Sequence, residues 1–250
     1  MTALVFIDAD SMLFKAALTE KDRAAMKLKY RKHLKEIERN TFSDKALVAV
    51  KGLGKGFRYD IYSDYKKNRK PLDEDLKKSL NYLHEYALDL GGIPANEGWE
   101  ADDTVASWVK DAWNEGLNYV IAHIDKDLDM LPGQHYNYNK VEHYAVSIPD
   151  AQRNFFNQLL MGDSADGIPG APGIGKVKAA KLLDNNSPDY WYRHIRSCYN
   201  SRADIEMNAR LLFMGDPEEF TYDLQSLYCT LEEREQLLSG HESEDGQGVG

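Results

Sequence analysis

The sequence contains little cysteine, no long apolar stretch and no excess of positive charge. Its 250 residues include only Cys198 and Cys229, which excludes a disulfide framework and provides none of the spacing of a zinc-binding motif. No apolar run is long enough to cross a bilayer, and the first residues, MTALVFIDAD, lack the basic start and cleavage site of a signal peptide. These absences argue against a secreted disulfide-rich protein and a membrane protein, and we expect a protein of the reducing cytoplasm.

Charge is distributed unevenly along the chain. The formal net charge of −10 is unfavourable for binding a polyanion, but residues 1–81 contain 19 Lys and Arg against 12 Asp and Glu, and the remainder contains 12 against 29. Basic residues can line a nucleic-acid-binding face while carboxylates gather elsewhere. The same asymmetry also fits ordinary solvated faces, so charge alone leaves both interpretations open.

Apolar and amphipathic segments alternate through the first part of the chain. Short apolar runs predict buried strands at 3–7, 46–50 and 119–124, with a fourth at 135–138, and helical patterns cover 11–40, 72–90 and 100–113. This alternation predicts an α/β fold with a mostly parallel sheet flanked by helices. The basic and aromatic segment 51–69 is interpreted as a loop.

The remainder of the chain has a different pattern. From Ile148 onward the spacing predicts only helices, and the composition of 241–250 is typical of a disordered tail. We therefore predict an α/β core over 1–147 and a helical region over 148–240, followed by that tail.

Acidic residues cluster at the predicted ends of these elements. Open parallel sheets bind ligands at the carboxyl ends of their strands, where two Asp-X-Asp pairs are expected. An acidic run begins the predicted helix at Glu100, and two further acids three residues apart share a helical face near Gly162. The set consists of Asp8, Asp10, Glu100, Asp102, Asp103, Asp125, Asp127, Asp163 and Asp166.

So many carboxylates cannot share a dry site as anions without a compensating cation. Hard divalent ions with oxygen ligands, Mg²⁺ or Mn²⁺, are the natural partners. Two such ions about 4 Å apart clamp a phosphodiester, one activating water and the other steadying the leaving oxygen. Each acidic cluster alone also fits a helix cap or a solvated turn, and the coincidence of four clusters favours the metal site.

Two segments have the residue types that grip phosphate. Gly173 and Gly175 in the turn 170–175 let backbone N–H groups approach an anion, and a helix beginning near Lys176 adds its positive end. The segment 57–70 interleaves aromatic and basic residues, which suits stacking on unpaired bases. A plain helix–turn–helix loop and a solvated basic loop remain the alternatives. His123 is interpreted as strand packing rather than a ligand, and Trp108 and Trp113 as core.

The motifs together resemble a known family. They are FIDAD at 6–10, FR at 57–58 followed by YKKNR at 65–69, EADD at 100–103, DKDL at 125–128, and GDSADGIPG from 162 running on to Gly175. In this order and spacing they resemble the 5′-nuclease superfamily of flap endonucleases and 5′→3′ exonucleases, in particular the bacteriophage enzymes and the 5′-nuclease domain of bacterial DNA polymerase I. The likeness covers residues 4–183.

The resemblance implies a PIN-like fold with a helix–three-turn–helix element at about 155–183, and a monomer acting on DNA with a 5′ end, flap or junction, in replication or repair. A phage-encoded chain would act in the host cytoplasm. The first Mg²⁺ would be held by Asp8, Glu100, Asp102, Asp103 and Asp125, and the second by Asp127, Asp163 and Asp166. Lys66 and Arg69 would act on the scissile phosphate. DNA contacts are expected from Arg58, Tyr65, Lys67, Gly170, Gly173, Gly175, Lys176 and Lys178, with K⁺ at the 170–175 turn.

One position departs from the family pattern. The family usually has an Asp at the end of the strand before the Phe-Arg motif, whereas this strand ends at Val50 and is followed by Lys51. Asp44 precedes the strand and is poorly placed to replace the missing acid. A DNA-structure-binding protein with weakened catalysis is therefore the alternative to a nuclease, and an RNA-directed nuclease is a third interpretation.

Overall fold

The computed structural model describes residues 3–228, and its centre is a six-stranded sheet in the order β3-β2-β1-β4-β5-β6. Neighbouring strands are parallel except β5 and β6, which are antiparallel, so the predicted mostly parallel sheet is confirmed. The strands are β1 Ala3–Asp8, β2 Ser43–Val50, β3 Ile93–Pro94, β4 Tyr119–His123, β5 Gly133–Asn137 and β6 Glu142–Val146. The predicted disordered tail at 241–250 lies outside the described residues.

Nine α-helices flank or follow the sheet within the described residues. They are α1 Asp10–Thr19, α2 Arg23–Thr41, α3 Arg58–Ile61, α4 Glu74–Asp89, α5 Ala101–Asn114, α6 Ile148–Met161, α7 Lys176–Asp184, α8 Pro188–Ser197 and α9 Arg202–Leu212. A short 3-10 helix, Lys126–Met130, lies between β4 and β5, and two more, Pro217–Glu219 and Leu224–Leu227, follow α9. From Ile148 onward the described elements are helical, as predicted.

The single helix predicted over 11–40 is wrong. The first helix ends at Thr19 because Glu20 is extended, and Asp22 then caps a second helix by accepting a hydrogen bond from the Ala25 N–H at 2.9 Å. An aspartate at this position competes for the backbone and starts a new helix more readily than it continues an old one. The apolar spacing hid this break because both helices pack on the same side of the sheet.

Two short strands were also missed by the sequence. Ile93–Pro94 was interpreted only as a helix stop, yet it pairs in parallel with the end of β2. Strand β6 is largely exposed and carries no apolar alternation, with only Val146 buried. Both are edge strands, in which the side chains need not follow the pattern of a buried strand.

A hydrophobic core covers each face of the sheet. The consecutive residues Val5, Phe6 and Ile7 of β1 are buried on alternate sides, which explains their unbroken apolar run. Phe6 packs in one cluster with residues of α5, α6 and α9, whereas Val5 and Ile7 pack in a second cluster with residues of α1, α2 and α4. The C-terminal helices therefore share a core with the sheet.

The parallel strands all end at one edge of the sheet. Strand β1 ends at Asp8, β2 at Val50 and β4 at His123, and the N-terminus of α5 lies at the same edge. Among the described residues, every helix is too short or too polar to cross a bilayer. The carboxyl edge of the sheet is thus the place where the acidic motifs meet.

Candidate functional site

The first carboxylates of the site stand at the end of β1. The Asp8 side chain accepts a hydrogen bond from the Asp10 N–H at 3.0 Å, and Asp10 accepts one from the Lys51 N–H at 3.1 Å. Burial, reinforced by the charges of Asp10 and Asp125, raises the pKa of Asp8 to about 8. Burial also raises the pKa of Asp10. Both acids therefore lie where an added cation would be strongly favourable.

The N-terminus of α5 brings a further acid to this cluster. Burial, together with the nearby charges of Asp103, Glu100 and Asp8, raises the pKa of Asp102 well above its ordinary value. The backbone of α5 begins here because Glu100 and Asp103 form a reciprocal capping box. Asp102 and Asp8 thus face a common, poorly neutralised space at the carboxyl edge of the sheet.

Asp103 does not belong to that space. It is fully buried, and its two oxygens receive the Arg58 guanidinium at 2.8 and 2.7 Å as well as the N–H groups of Glu100 and Gly215. Its side chain anchors Arg58 and caps α5 in this structure, and its predicted role as a metal ligand stays a prediction.

Glu100 already has cationic partners. Its carboxylate pairs with the Lys66 ammonium, accepts the Tyr65 hydroxyl at 3.0 Å and lies 3.5 Å from the Arg58 guanidinium. Burial alone would raise the pKa of Glu100, but Lys66 and Arg58 outweigh it and hold the pKa at about 2. Glu100 is therefore an anion whose charge is balanced by this chain's own cations.

The second group of acids lies beyond β4. Asp125 caps the 3-10 helix that follows β4 by accepting the Asp127 N–H at 3.0 Å. Asp163 accepts the N–H groups of Ala165 and Asp166 at 2.8 and 3.2 Å. Burial, with the charge of Asp125, raises the pKa of Asp127.

Gln158 and Lys126 join Asp127 to Asp163. The Gln158 amide donates to Asp127 at 3.1 Å and to Asp163 at 3.3 Å, while the Lys126 ammonium lies 3.3 and 3.4 Å from the same two carboxylates. Sequence reasoning missed Gln158, because a glutamine within an amphipathic helix carries no signal of its own. Its burial in α6 places it under the two acids.

Asp166 connects this group to the basic segment before α4. Its carboxylate binds the Arg69 guanidinium, with the Nε at 2.9 Å, and lies 3.3 Å from the Tyr65 hydroxyl oxygen, whose proton the nearer Glu100 accepts. Lys66 lies 3.8 Å from the same carboxylate, and its backbone has a positive φ of 56°, an uncommon conformation for lysine. The predicted pair Lys66 and Arg69 is therefore placed at the acidic edge.

The predicted acids are widely spaced. In the part of the chain that the structure describes, no three of them bring ligand oxygens within 4.8 Å of one another, a spacing reached only by His123, Asp129 and His135. Magnesium retains several waters and takes one or two carboxylates directly, so it can bind among widely spaced acids with the remaining carboxylates bonded to its waters. The wide spacing also keeps like charges apart.

Three residues predicted to contact DNA are buried in the structure. Arg58 is 3% exposed and donates to Asp103 and to the carbonyls of Leu211 and Phe213, and Tyr65 is also 3% exposed. Gly170 is buried, and its N–H donates to Asn208 at 2.9 Å. Local sequence could not indicate this burial because it depends on distant helices, and a DNA contact by any of the three stays a prediction.

The remaining candidates for DNA contact are exposed. Gly173 has a φ of 69° and Gly175 caps α7, and a Cβ atom added at either glycine would have open space around it. Lys176 and Lys178 lie on the first turns of α7, and Lys67 is exposed near Asp64. The turn between α6 and α7 thus presents accessible backbone and positive charge to solvent.

At the end of β2, where the resemblance leads one to expect an acid, this chain has Lys51. Lys51 follows β2 at the acidic edge with an exposed side chain, and its carbonyl lies 2.8 Å from the His84 ring Nε2. Asp44 stands near the start of β2, at the opposite end of that strand. The carboxyl end of β2 therefore contributes a cation and no carboxylate.

Comparison with known proteins agrees with this arrangement. Residues 3–155 match the family described as "5'-3' exonuclease, N-terminal resolvase-like domain". DNA polymerase I of Rhizobium leguminosarum is 35% identical over 142 residues, which make up 52% of this chain and 14% of the polymerase. The chain therefore spans only a small part of that relative.

Two further relatives are similar over more of their length. Flap endonuclease Xni of Shewanella amazonensis is 30% identical over 186 residues, covering 70% of this chain and 71% of that protein. The crystal structure of the bacteriophage T5 D15 flap endonuclease, in a complex with DNA and metal ions, has a TM-score of 0.65 at 16% identity and covers 84% of this chain and 88% of that one. The family match at residues 3–155 covers more than half of this chain and shows that the chain belongs to the 5′-3′ exonuclease family.

Proposed function

We propose that this chain is a metal-dependent, structure-specific 5′-nuclease that hydrolyses DNA phosphodiesters at 5′ ends, flaps or junctions between single strand and duplex. The observation that carries the proposal is the buried acidic cluster at the carboxyl edge of the sheet. Burial raises the pKa values of Asp8, Asp10 and Asp102, so these acids gain most from a bound cation. Membership of the 5′-3′ exonuclease family supports the same reaction.

The acids fit two divalent ions with oxygen ligands, Mg²⁺ or Mn²⁺. We assign one position to Asp8, Asp102 and Asp125 with Asp10 beside them, and the other to Asp127, Asp163 and Asp166. When bound, such ions supply Lewis-acid stabilisation of the charge that develops on the phosphate and lower the pKa of water. Glu100 acts chiefly by holding Lys66 in place.

Lys66 and Arg69 would bind the scissile phosphate. In the structure, which contains no DNA, Lys66 forms an ion pair with Glu100 and Arg69 forms one with Asp166. A phosphate entering between them would meet two preorganised cations, which stabilise the additional negative charge of the transition state. The short distance along the chain between the two residues fixes them on one side of the site.

The turn 170–175 would bind the duplex. Exposed Gly173 and Gly175 offer backbone N–H groups, and the N-terminus of α7 adds Lys176 and Lys178. Such contacts read only the phosphate backbone, so binding is independent of sequence. We further propose that K⁺ binds at this turn. We also propose that the chain acts as a monomer in DNA replication or repair.

A labelled DNA flap substrate tests the proposal. We expect cleavage with Mg²⁺ or Mn²⁺ and none with EDTA, and we expect Asp163→Ala to abolish cleavage while DNA affinity stays within about threefold. Asp111→Ala removes an exposed acid from α5 and serves as the matched control with full cleavage. Full activity of Asp163→Ala would disprove the assigned site. An RNA flap in the same assay separates a DNA-directed from an RNA-directed nuclease.

The absent acid at the end of β2 favours a second candidate, a DNA-structure-binding protein with weakened catalysis. Lys51 stands at this strand end, and a cation there opposes the binding of a divalent ion. Tight binding of the flap without cleavage in Mg²⁺ or Mn²⁺ would support this candidate over the nuclease.

A further inference from the structure

Two histidines and one aspartate form a compact group behind the acidic edge. His123 ends β4 and is 1% exposed, and His135 of β5 is fully buried. Asp129 belongs to the 3-10 helix between these strands, and its side chain is 32% exposed. One ligand atom from each of the three lies within 4.8 Å of the others, and this group is separate from the acids assigned to Mg²⁺.

The hydrogen bonds of the two rings fix where their protons are. The His123 Nδ1 lies 2.6 Å from the Asp125 carbonyl, and the His135 Nε2 lies 2.9 Å from the Leu131 carbonyl. A carbonyl oxygen only accepts, so each of these nitrogens must carry a proton. In a neutral imidazole the other nitrogen then has none.

Two lone pairs consequently face each other in the interior. The His123 Nε2 and the His135 Nδ1 are 2.8 Å apart. The Tyr144 hydroxyl lies 3.2 Å from the His123 Nε2, but it donates its proton to Asp129 at 2.7 Å and leaves that nitrogen without a donor. Two buried acceptors at this distance require a positive species beside them.

A shared proton is the weaker solution. A proton between the two rings would bond only the two nitrogens, 2.8 Å apart, and would leave the neighbouring Asp129 carboxylate unused. A metal ion uses both lone pairs without that proton and also gains the Asp129 carboxylate, whose Oδ1 lies 3.9 Å from the His123 Nε2.

We propose that His123, His135 and Asp129 bind a divalent transition-metal ion of the Zn²⁺ type. Two imidazoles and a carboxylate are a common three-ligand set for zinc, with water as the fourth ligand. Tetrahedral bonds of about 2.0–2.1 Å need ligand atoms about 3.3 Å apart, so the two rings must separate by about 0.5 Å. The partly exposed Asp129 gives an ion a path from solvent.

The surrounding hydrogen bonds match those of metal-bound histidines. Such histidines donate their second N–H to a carbonyl or carboxylate, as both rings do here, and ligating carboxylates are themselves hydrogen-bonded, as Asp129 is by Tyr144. An ion would tie β4, the 3-10 helix and β5 together. Because His123 also holds the Asp125 carbonyl, it would fix the turn that carries Asp125 and Asp127.

Cobalt serves as the spectroscopic probe for this site. Bound metal is first removed from the full chain with EDTA, and the EDTA is then removed. Mg²⁺ is added to saturate the acids at the carboxyl edge of the sheet, and the chain is titrated with Co²⁺. We expect about one equivalent to give the intense visible bands of tetrahedral Co²⁺, which Zn²⁺ then abolishes; an octahedral site with only oxygen ligands gives weak bands. His135→Gln and Asp129→Asn should each weaken binding at least about tenfold.

Matched variants keep the outcome decisive. His194→Gln changes an exposed histidine of α8, and Asp163→Asn changes an acid of the second proposed Mg²⁺ position. Both variants should retain the visible bands of tetrahedral Co²⁺. If His135→Gln fails to fold, Asp129→Asn carries the test, together with the rise in Tm on adding Zn²⁺, which we expect in the natural chain and not in the variant. The absence of tetrahedral bands, or their persistence in both His135→Gln and Asp129→Asn, overturns the proposal.

Discussion

Arg58 and Asp103, which the sequence assigned to two different roles, neutralise each other in the interior. Their bidentate pair is almost completely buried and ties α3 and α5 to the carbonyls of Leu211 and Phe213 at the C-terminal end of α9. An arginine can bind phosphate and an aspartate can bind a metal ion, but these two side chains are buried and bind each other. Exposure therefore separates the residues that can meet DNA from those that support the site.

Replacement of Asp103 tests this structural role. Asp103→Ala leaves the Arg58 guanidinium buried without its carboxylate, and we expect the free energy of unfolding to fall by about 3–5 kcal/mol. Urea unfolding followed by circular dichroism measures the change. Asp111→Ala, on the exposed side of the same helix, should alter stability by less than about 0.5 kcal/mol. An unchanged urea midpoint for Asp103→Ala would contradict the role of the pair.

The buried Asp8 predicts a pH dependence of stability. A folded-state pKa raised from 3.8 to about 8 means that the folded chain binds this proton more tightly than the unfolded chain. The contribution of Asp8 to stability is therefore complete below pH 4 and is lost as the pH rises towards 8, by at most about 1.4 kcal/mol per pH unit.

In EDTA, we expect Asp8→Asn to flatten this loss of stability, measured as the urea midpoint across that pH range. Added Mg²⁺ should restore stability at pH 8 in the natural chain and have a smaller effect in the variant. A pH profile identical in the two chains would show that Asp8 is not the buried acid responsible.

Among the elements, β2 differs most from the family pattern. Three parallel strands end at the same edge, but β1 and the segment after β4 deliver acids whereas β2 delivers Lys51. The break between α1 and α2 and the edge strand β6 were likewise settled by packing rather than by local pattern. Apolar spacing thus indicates whether a segment is a helix or a strand, whereas the residues at which it begins and ends depend on capping side chains and on the elements packed against it.

Restoring an acid at the end of β2 tests its effect on catalysis. We expect Lys51→Asp to lower the Mg²⁺ concentration for half-maximal flap cleavage by about tenfold, because it removes a cation and adds an oxygen ligand at the metal edge. Lys45→Asp, which makes the same change near the other end of β2, is the control and should leave the Mg²⁺ dependence unchanged. A Mg²⁺ requirement of Lys51→Asp equal to or higher than that of the natural chain would show that this strand end lies away from the ions.

At the scale of the molecule, the helical region and the sheet form one core. Phe6 and Val105 of the α/β part belong to the same cluster as Phe155 and Leu159 of α6 and Ile205 of α9. The boundary predicted at 147 therefore divides a chain whose two parts bury each other's apolar surfaces.

A fragment comprising residues 1–147 tests how far the two parts depend on each other. Without α6 and α9, one face of the sheet loses its cover, and we expect the fragment to bind a hydrophobic dye and to unfold without a cooperative transition. The full chain, measured alongside it by circular dichroism and dye fluorescence, should unfold cooperatively. Cooperative unfolding of the fragment would show that residue 147 is a true domain boundary.

The sequence alone determined the alternation of strands and helices and the placement of acids at element ends, because apolar period and strand-end chemistry are local properties. In this way the sequence placed Asp8, Asp102 and Asp163 at the ends of elements, whereas the roles of Lys66 and Arg69 come from the family resemblance, and the functions of all five stay predictions. Only the tertiary structure decided which charged groups are paired in the interior and which remain for ligands. It placed Gln158 beneath two acids and turned the lone pairs of His123 and His135 towards each other, since such contacts join segments that are distant in the chain.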